Sequence, residues 1–285
     1  MLRKIYITSI FLVGAFLSAS FASAQSVSIS FYPEVVSQGE PLMIQINASS
    51  TKIKKLTFGG VPVRIFNYKN KATGLVGIDL NKTPGEYYVI AETYNGVFAV
   101  DKVIIKQRKR KELPYNIPEK LGGNTFESQR NLVRTLAEEN NDFKGLKTGN
   151  KTWWISGFIP PLVKPVIGDE FGYYRRIGSL VMPHKGVDYD APIGTKVIST
   201  NDGIVRAVSD SRNYGKYVVI DHGLGVFSFY LHLSETIAKK GTFVYKGDVI
   251  GLSGETGYAD EPHLHFSIRI YGVTVDPIKF LELFK

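Results

Sequence analysis

The segment from residue 263 to residue 270 alternates strictly between polar and apolar side chains. One side carries Leu264, Phe266, Ile268 and Ile270, and the other carries His263, His265, Ser267 and Arg269. A period of two predicts a β-strand with one buried face. Residues two apart along a strand are separated by about 6.6 Å, so one imidazole can bind a metal ion while the other reaches a water molecule beside it. Two hydrogen-bonded histidines on a solvated sheet face are the alternative that this motif leaves open.

Short alternating runs separated by turn residues extend over most of the chain. Between residues 25 and 106, the alternation at Leu42, Ile44 and Ile46 and the turn signals near Gly60 favour an immunoglobulin-like β-sandwich of about seven strands. Residues 153–285 contain β-branched runs and no helical pattern before residues 277–284. The predicted fold class is therefore mainly β, with an antiparallel sheet in the second domain.

The N-terminus has the composition of an export signal. Arg3 and Lys4 precede an apolar run at residues 5–17, and the small residues Ala22 and Ala24 mark a cleavage site. We expect residues 1–24 to be a signal peptide, the alternative being an uncleaved membrane anchor. Either way, the rest of the chain is expected in the periplasm or cell envelope, or outside the cell. The chain contains no cysteine, which excludes disulfides and thiolate metal sites.

Residues 107–152 are predicted to connect the two β domains. The basic run from Lys106 to Lys111 is interpreted as a solvated linker or as a peripheral contact with anionic envelope polymers. The formal net charge of +9 suits an anionic partner. Further along, Asn124 and Glu127 have the spacing of a capping box. Apolar residues at approximate helical spacing then predict one helix over residues 125–140.

All five histidines lie in the second half of the chain. His184 and Asp188 are four residues apart in a segment that Gly186 and a following proline make extended rather than helical. Such a pair is common by itself. Together with His265 it gives two imidazoles and one carboxylate, which suit a catalytic zinc with an open position. The same ligand types also suit non-haem iron, so residue types alone leave the metal open.

His232 lies at the end of a predicted strand that begins near residue 226. Alternation predicts that His232 shares a face with Ser228 and Tyr230, opposite Phe227, Phe229 and Leu231, and that it faces the groove with His263 and His265. A histidine there can accept a proton from an attacking water or donate one to the leaving amine. His222 lies at a turn and is expected to be structural.

The second domain resembles the LytM/lysostaphin family of zinc metallopeptidases over about residues 155–280, through short motifs that occur in one order. They include Glu170-Phe171-Gly172, His184-Lys185-Gly186-Val187-Asp188, Asp202-Gly203, Tyr230-Leu231-His232-Leu233-Ser234, Pro262-His263-Leu264-His265-Phe266 and Asp276-Pro277. This resemblance implies that one Zn²⁺ per chain is bound by His184, Asp188 and His265, and that His232 and His263 assist catalysis. It also implies a β-rich domain whose groove holds a substrate peptide over an antiparallel sheet.

The implied activity is endopeptidase cleavage of peptidoglycan stem or cross-link peptides by a secreted enzyme. No nucleic-acid partner is expected, and the oligomeric state is left open. The segment 258–261, and Ser267 where an acidic residue is common, depart from the family pattern and leave the subsite preference open.

Three alternative functions stand beside this prediction. Relatives that lack metal ligands act as non-enzymatic activators of wall amidases, although every ligand is present here. A carboxypeptidase that trims stem peptides and a protease that attacks proteins of a competitor or host use the same residues. The position of residues 107–150 between the domains also raises the hypothesis that this segment covers the groove and holds the enzyme latent.

Overall fold

We describe a computed structural model of the chain over residues 27–285. The signal peptide predicted for residues 1–24 lies outside the described residues. The described part of the chain is mainly β, which confirms the predicted fold class. None of the helices between residues 27 and 285 is long and apolar enough to span a bilayer.

The first β unit consists of two sheets that enclose one apolar core. Its strands are β1 (Ile29–Tyr32), β2 (Val36–Ser37), β3 (Pro41–Ile46), β4 (Ile53–Phe58), β5 (Val61–Pro62), β6 (Ile65–Tyr68), β7 (Lys71–Gly77), β8 (Gly85–Thr93) and β9 (Phe98–Lys106). One sheet has the order β1-β3-β7-β6 and the other β2-β9-β8-β4-β5. Residues such as Ile44, Val89 and Val103 are buried in the shared core, and each contributes roughly 1.5–3 kcal/mol. The immunoglobulin-like assignment and the predicted domain boundaries stay predictions.

A connecting segment with a short strand and a helix follows. Its elements are β10 (Glu112–Pro114) and α1 (Phe126–Lys144). The predicted helix is confirmed, and it continues beyond residue 140. It begins after Thr125, whose hydroxyl accepts a hydrogen bond from the amide of Ser128. The predicted capping box at Asn124 and Glu127 is therefore wrong. The side-chain oxygen of Asn124 instead accepts a hydrogen bond from the amide of Ile117. The local sequence pattern does not predict this contact.

The basic run after β9 makes contacts inside the chain. Arg108 forms an ion pair with Asp276, with 2.8 Å between Nη2 and Oδ2, and it donates a hydrogen bond to the carbonyl of Phe171. The guanidinium of Arg110 lies 4.1 Å from the ring centre of Tyr174. Arg108 and Arg110 therefore connect the run to the second β unit, and its contact with anionic polymers stays a prediction.

The second β unit is built on one large sheet with the order β11-β14-β22-β18-β17-β16-β20, in which β23 also pairs with β22. Its elements are β11 (Ile167–Asp169), β12 (Tyr174–Ile177), β13 (Leu180–Pro183), β14 (Val187–Asp190), β15 (Lys196–Ile198), β16 (Gly203–Ser211), β17 (Gly215–Asp221), β18 (Val226–Leu233), β19 (Glu235–Thr236), β20 (Phe243–Val244), β21 (Val249–Leu252), β22 (His263–Ile270), β23 (Val273–Val275) and α2 (Pro277–Glu282). Antiparallel pairing of β22 with both β14 and β18 places β22 inside the sheet, where it carries the predicted site residues.

The two faces of β22 differ as the alternation predicted. Leu264, Phe266, Ile268 and Ile270 are inaccessible to solvent or nearly so and belong to the largest apolar core. This core also receives Trp154 from the start of the unit and Phe280 from α2. The opposite face of β22 presents polar side chains to a groove, because successive residues of a strand point to opposite sides of the sheet.

Candidate metal centre and active site

The three predicted metal ligands come together where β14 pairs with β22. Asp188 lies directly opposite His265 in the antiparallel ladder, and His184 precedes β14 by a short bend. Gly186 lies in this bend against the His265 ring, where a side chain would clash. Asp188 Oδ1 is 2.7 Å from His265 Nδ1, and His184 Nε2 is 3.1 Å from both of these atoms. Strand register and the bend thus bring together residues that are far apart in sequence.

The ring protons of His184 and His265 point away from this cluster. His184 Nδ1 lies 2.9 Å from the carbonyl oxygen of Glu170, so Nδ1 carries the proton and donates it. His265 Nε2 lies 3.0 Å from the hydroxyl of Ser267, whose own hydrogen is donated to the carbonyl of Lys185. Because a carbonyl oxygen only accepts, the ring nitrogen of each histidine inside the cluster carries a lone pair in the neutral form of the imidazole.

The donor set fits a divalent metal ion. Two imidazole lone pairs and a carboxylate repel one another in a buried site unless a cation lies between them. Burial lowers the pKa of His265 to about 4, so its ring is neutral at pH 7. Burial opposes the charge of Asp188, but the positive charge that the neighbouring imidazoles carry when protonated holds its pKa well below the usual range. The donor atoms lie 2.7–3.1 Å apart, somewhat less than the roughly 3.3 Å between ligand atoms of tetrahedral zinc.

Arg175 is a site residue that the sequence analysis missed. Its Nη2 lies 2.5 Å from Asp188 Oδ2, the carboxylate oxygen that faces away from the histidines. The guanidinium lies 4.2 Å from the ring centre of Tyr115, so a residue of the connecting segment covers this ion pair. Two consecutive arginines, Arg175 and Arg176, occur on β12. Strand alternation indicates that one of the two arginines points inward. It does not indicate which residue that arginine contacts.

The face of β18 that lines the groove differs from the prediction. Leu231 lies directly opposite His265 in the ladder, so Leu231, Phe229 and Phe227 share the groove face. Tyr230, which was predicted on that face, is packed in the apolar core on the other side of the sheet. The predicted assignment of faces is therefore wrong, although the conclusion that His232 faces the groove is right.

His232 reaches the groove because the strand alternation breaks at this residue. Its φ angle is +61°, a left-handed conformation that is uncommon for a residue other than glycine. This conformation turns the ring out of the pattern set by Tyr230 and places its centre 4.8 Å from that of His263 and 5.9 Å from that of His265. The structure therefore gathers His184, Asp188, His232, His263 and His265 at one end of the groove.

His232 and His263 each direct a bare nitrogen toward the donor cluster. Their Nδ1 atoms lie 2.8 Å from the carbonyl oxygens of Thr256 and Glu261, respectively. Each ring therefore donates the proton of Nδ1, and in the neutral form of the imidazole its lone pair lies on Nε2. His263 Nε2 is 3.8 Å from Asp188 Oδ1. Burial and the adjacent imidazoles lower the pKa of His232 well below its usual value, so at pH 7 it is neutral and able to accept a proton.

His222 stands apart from this group and has a structural environment, as predicted. It is inaccessible to solvent. Its Nδ1 donates to the carbonyl of Asp202 at 2.7 Å, and its Nε2 lies 2.8 Å from the hydroxyl of Ser228. Its ring also meets that of Phe158 edge to face, with 5.2 Å between centres. Both ring nitrogens are satisfied inside the protein, so His222 has no atom free for the groove.

We expect His222 to make the fold sensitive to acid. Burial lowers its pKa to about 4, below the value of about 6.5 in an unfolded chain. Between these values the unfolded state binds more protons, so stability falls as the pH decreases below 6.5. From pH 7 to pH 5 this group should account for a loss of about 2 kcal/mol. Urea unfolding of the wild type and of His222→Gln at both pH values measures it. An equal loss in both proteins would contradict the assignment.

The helix α1 forms one wall of the groove. A cavity of about 410 Å³ extends from His184 along the polar face of β22 as far as Arg269. Phe143 packs on this face of the sheet, with 5.0 Å between its ring centre and that of Phe229. Asn140 accepts a hydrogen bond of 2.9 Å from Arg269. The C-terminal half of α1 therefore covers the floor of the groove beyond the donor cluster.

The connecting segment also contacts Tyr258 at the edge of the groove. Tyr258 is one of the residues that depart from the family pattern. The Tyr258 ring stacks on Tyr115, with 5.7 Å between centres, and its hydroxyl donates to the carbonyl of Asn116 at 3.0 Å. Leu132 of α1 belongs to the same apolar cluster. The unusual residue at position 258 thus binds a segment of this chain.

The comparisons with known proteins concern mainly this half of the molecule. Residues 182–277 match the model of Peptidase family M23. The chain is 44% identical over 99 residues to the peptidoglycan DD-endopeptidase ShyA of Vibrio cholerae. The aligned region covers 35% of this chain and 23% of ShyA. The chain is 40% identical over 121 residues to the DD-carboxypeptidase/endopeptidase Mpg of Neisseria meningitidis, covering 42% and 28%. The chain thus spans about a quarter of the length of these relatives.

The fold of the larger part of the chain also occurs in a solved structure. A Pseudomonas aeruginosa protein assigned to peptidase M23 superposes with a TM-score of 0.64 at 24% identity, covering 87% of this chain and 95% of that chain. This likeness concerns the fold alone. The five gathered residues all lie within the matched segment, in agreement with the LytM/lysostaphin resemblance. Residues 182–277 of this chain therefore form a domain of Peptidase family M23.

Proposed function

We propose that this chain is a zinc metalloendopeptidase that hydrolyses peptide bonds in peptidoglycan and acts in the cell envelope. The observation that carries the proposal is the convergence of three lone-pair donors, on His184, Asp188 and His265. The two imidazoles direct their ring protons to groups outside the cluster. A groove leads away from this cluster, and the relatives named above are peptidoglycan peptidases.

Each residue of the site has a distinct role in the proposal. His184, Asp188 and His265 hold one Zn²⁺. When bound, zinc polarises the scissile carbonyl and the attacking water. Nε2 of His232 or His263 accepts the proton of that water. The same atom, once protonated, donates a hydrogen bond to the developing oxyanion or passes the proton to the leaving amine.

Arg175 keeps the Asp188 carboxylate in place during this cycle. It binds Oδ2 and so leaves Oδ1 as the oxygen that faces the metal position. A charge-assisted hydrogen bond of this kind is roughly twice as strong as a neutral one. With Oδ2 engaged by Arg175, Oδ1 is the carboxylate oxygen that would hold the ion.

Mass spectrometry of the fragments released from isolated cell wall tests the proposal. The wild-type protein with zinc should release peptide-linked muropeptides, and the position of the new termini identifies the bond. New termini inside cross-links indicate an endopeptidase, whereas loss of a single terminal residue indicates a carboxypeptidase, as the name of Mpg suggests. Absence of any fragment from the zinc-bound wild type and from a zinc-bound Phe143→Ala variant, in which α1 is loosened, would refute wall hydrolysis. A protein that neither binds zinc nor releases fragments would favour an amidase activator.

We also propose that α1 limits the access of substrate to the groove, as expected for a latent enzyme. Phe143 is the anchor of the helix on the groove floor, and its contacts with Phe229 and Arg269 occupy the face on which a peptide would lie. A cross-linked wall peptide extends on both sides of the scissile bond, so an endopeptidase needs the groove open on both sides of the metal position. Substrate binding would therefore require α1 to move.

Phe143→Ala is expected to raise the rate of wall hydrolysis. Loss of a buried phenylalanine costs about 3–5 kcal/mol, which loosens the docked helix by a factor between about 10² and several thousand. Phe126→Ala is the matched control, because Phe126 lies on the same helix and is 75% exposed. Turbidity loss of a sacculus suspension measures the rates. An unchanged or lower rate for Phe143→Ala, with native zinc affinity, would show that α1 is a permanent wall.

A further inference from the structure

Ser267 connects the two parts of the donor cluster. It lies on β22 two residues after His265, is 5% exposed, and faces the groove. Its hydroxyl oxygen is 2.5 Å from the carbonyl oxygen of Lys185 and 3.0 Å from His265 Nε2. Lys185 belongs to the bend between His184 and β14, the strand that carries Asp188. One hydroxyl therefore joins the strand that carries the third ligand to the bend that connects the first two.

The direction of both hydrogen bonds follows from the chemistry of the groups. The Lys185 carbonyl can only accept, so the Ser267 hydroxyl must donate to it. That hydroxyl has one hydrogen, and its oxygen is then available only as an acceptor for His265. Nε2 of His265 must therefore carry the ring proton, and Nδ1 keeps the lone pair that faces Asp188. A chain of two hydrogen bonds in a buried setting also strengthens each member.

Gly186 makes this arrangement sterically feasible. A side chain at this position would collide with the His265 ring and with the Ser267 hydroxyl. The backbone of the bend can therefore approach β22 closely enough for the Lys185 carbonyl to reach Ser267. The glycine in the bend thus provides the space that the hydrogen bond between Ser267 and Lys185 requires.

We propose that Ser267 is a positioning residue that fixes the proton and the ring orientation of His265. Its importance for metal binding rests on the proposed function, whereas its effect on the His265 proton does not. Without the hydroxyl, the buried Nε2–H has no acceptor and the ring is free to turn about its side-chain bond. The lone pair of Nδ1 then points at the metal position in only some of the ring orientations.

The first measurement uses the metal-free, full-length protein labelled with ¹⁵N in its histidines. The wild type should show a slowly exchanging imidazole N–H signal from Nε2 of His265, assigned by its absence in His265→Gln. Ser267→Ala should lose this signal, and Ser267→Thr, which keeps the hydroxyl, should retain it. Persistence of the protected signal in Ser267→Ala would overturn the proposal.

The second measurement is the zinc affinity, determined by competition with a chromophoric chelator. Loss of a residue that orients a metal ligand typically costs 10–100-fold in affinity, so Ser267→Ala should bind zinc about 10–100-fold more weakly than Ser267→Thr. Ser228→Ala is the matched control, because Ser228 is buried against His222 and should leave the affinity unchanged. Equal affinities of Ser267→Ala and wild type would overturn the role in metal binding.

The two measurements separate this inference from the proposed function. If the wild-type protein shows the predicted proton signal and Ser267→Ala loses it, the positioning role stands even where zinc does not bind. If zinc binds and wall is cut but the signal is insensitive to position 267, the function stands and the positioning role falls. Thermal unfolding of each variant confirms that the compared proteins are folded.

Discussion

Asp188→Asn is expected to lose zinc and, with it, hydrolysis of the cell wall. The substitution keeps the size of the side chain but removes the negative charge at which two imidazole nitrogens converge. It also leaves Arg175 buried without its closest counter-charge. The loss of zinc affinity should exceed the roughly 10–100-fold cost of losing an orienting contact. A metal ion supplies several kcal/mol of transition-state stabilisation, so the rate should fall by about 10³-fold or more.

Asp169→Asn provides the matched control for this experiment. Asp169 also lies near Arg175, at 3.3 Å, but its carboxylate is outside the donor cluster. It should retain zinc and most of the activity. Zinc content after dialysis and the release of wall fragments measure both variants. Native zinc content in Asp188→Asn, or equal losses in both variants, would contradict the assignment of Asp188 as a ligand.

His232→Ala is expected to abolish most of the activity while zinc remains bound. The residue directs the lone pair of Nε2 into the site, whereas its Nδ1 proton is held by the carbonyl of Thr256. It is not a member of the closest donor set, so its removal leaves the metal ligands in place. Removal of a general base or acid usually costs about 10²–10⁴-fold in rate.

The test of His232 depends on separating rate from metal content. Wall hydrolysis and zinc stoichiometry are measured on the same preparations of wild type and His232→Ala, together with the midpoint of thermal unfolding. A slow variant with full zinc content and a native midpoint supports the proton-transfer role. A variant that loses zinc in parallel with activity would instead make His232 a ligand, and one that keeps its rate would leave the proton transfer to His263.

Several features of the site could be predicted because they depend on local pattern. The alternation of residues 263–270 is sufficient to divide β22 into a core face and a groove face, since strand geometry requires it. The bend at Gly186 is likewise expected from the residue type and its neighbours. The order of the short motifs then indicated which histidines and which carboxylate belong together.

The face assignment of β18 shows where local pattern becomes insufficient. Alternation assumes a regular strand up to its last residue, but His232 adopts a left-handed conformation and the pairing of β17 with β18 shifts register between Lys216 and Val218. A break of this kind sends one residue to the opposite face. It depends on the neighbouring strand, so the sequence of β18 alone does not reveal it.

The start of α1 depends on tertiary contacts for a similar reason. Asn124 and Thr125 are both good helix N-caps, and the local sequence favoured the first. In the structure Asn124 is occupied by the amide of Ile117 and the side chain of Asn116, so Thr125 caps the helix. The turn before the helix therefore determines which of the two residues caps it, because that turn uses the side chain of Asn124.

The mainly β class and the polar face of β22 could be inferred from the sequence, because strand periodicity is a local property. The metal-site candidates could be inferred because residue chemistry was combined with the order of the short motifs. Only the tertiary structure placed Arg175 on Asp188, turned His232 into the groove and laid Phe143 of α1 across its floor. These three arrangements join residues from separate strands or segments. Their energies come from long-range packing and charge pairing, which no short stretch of sequence contains.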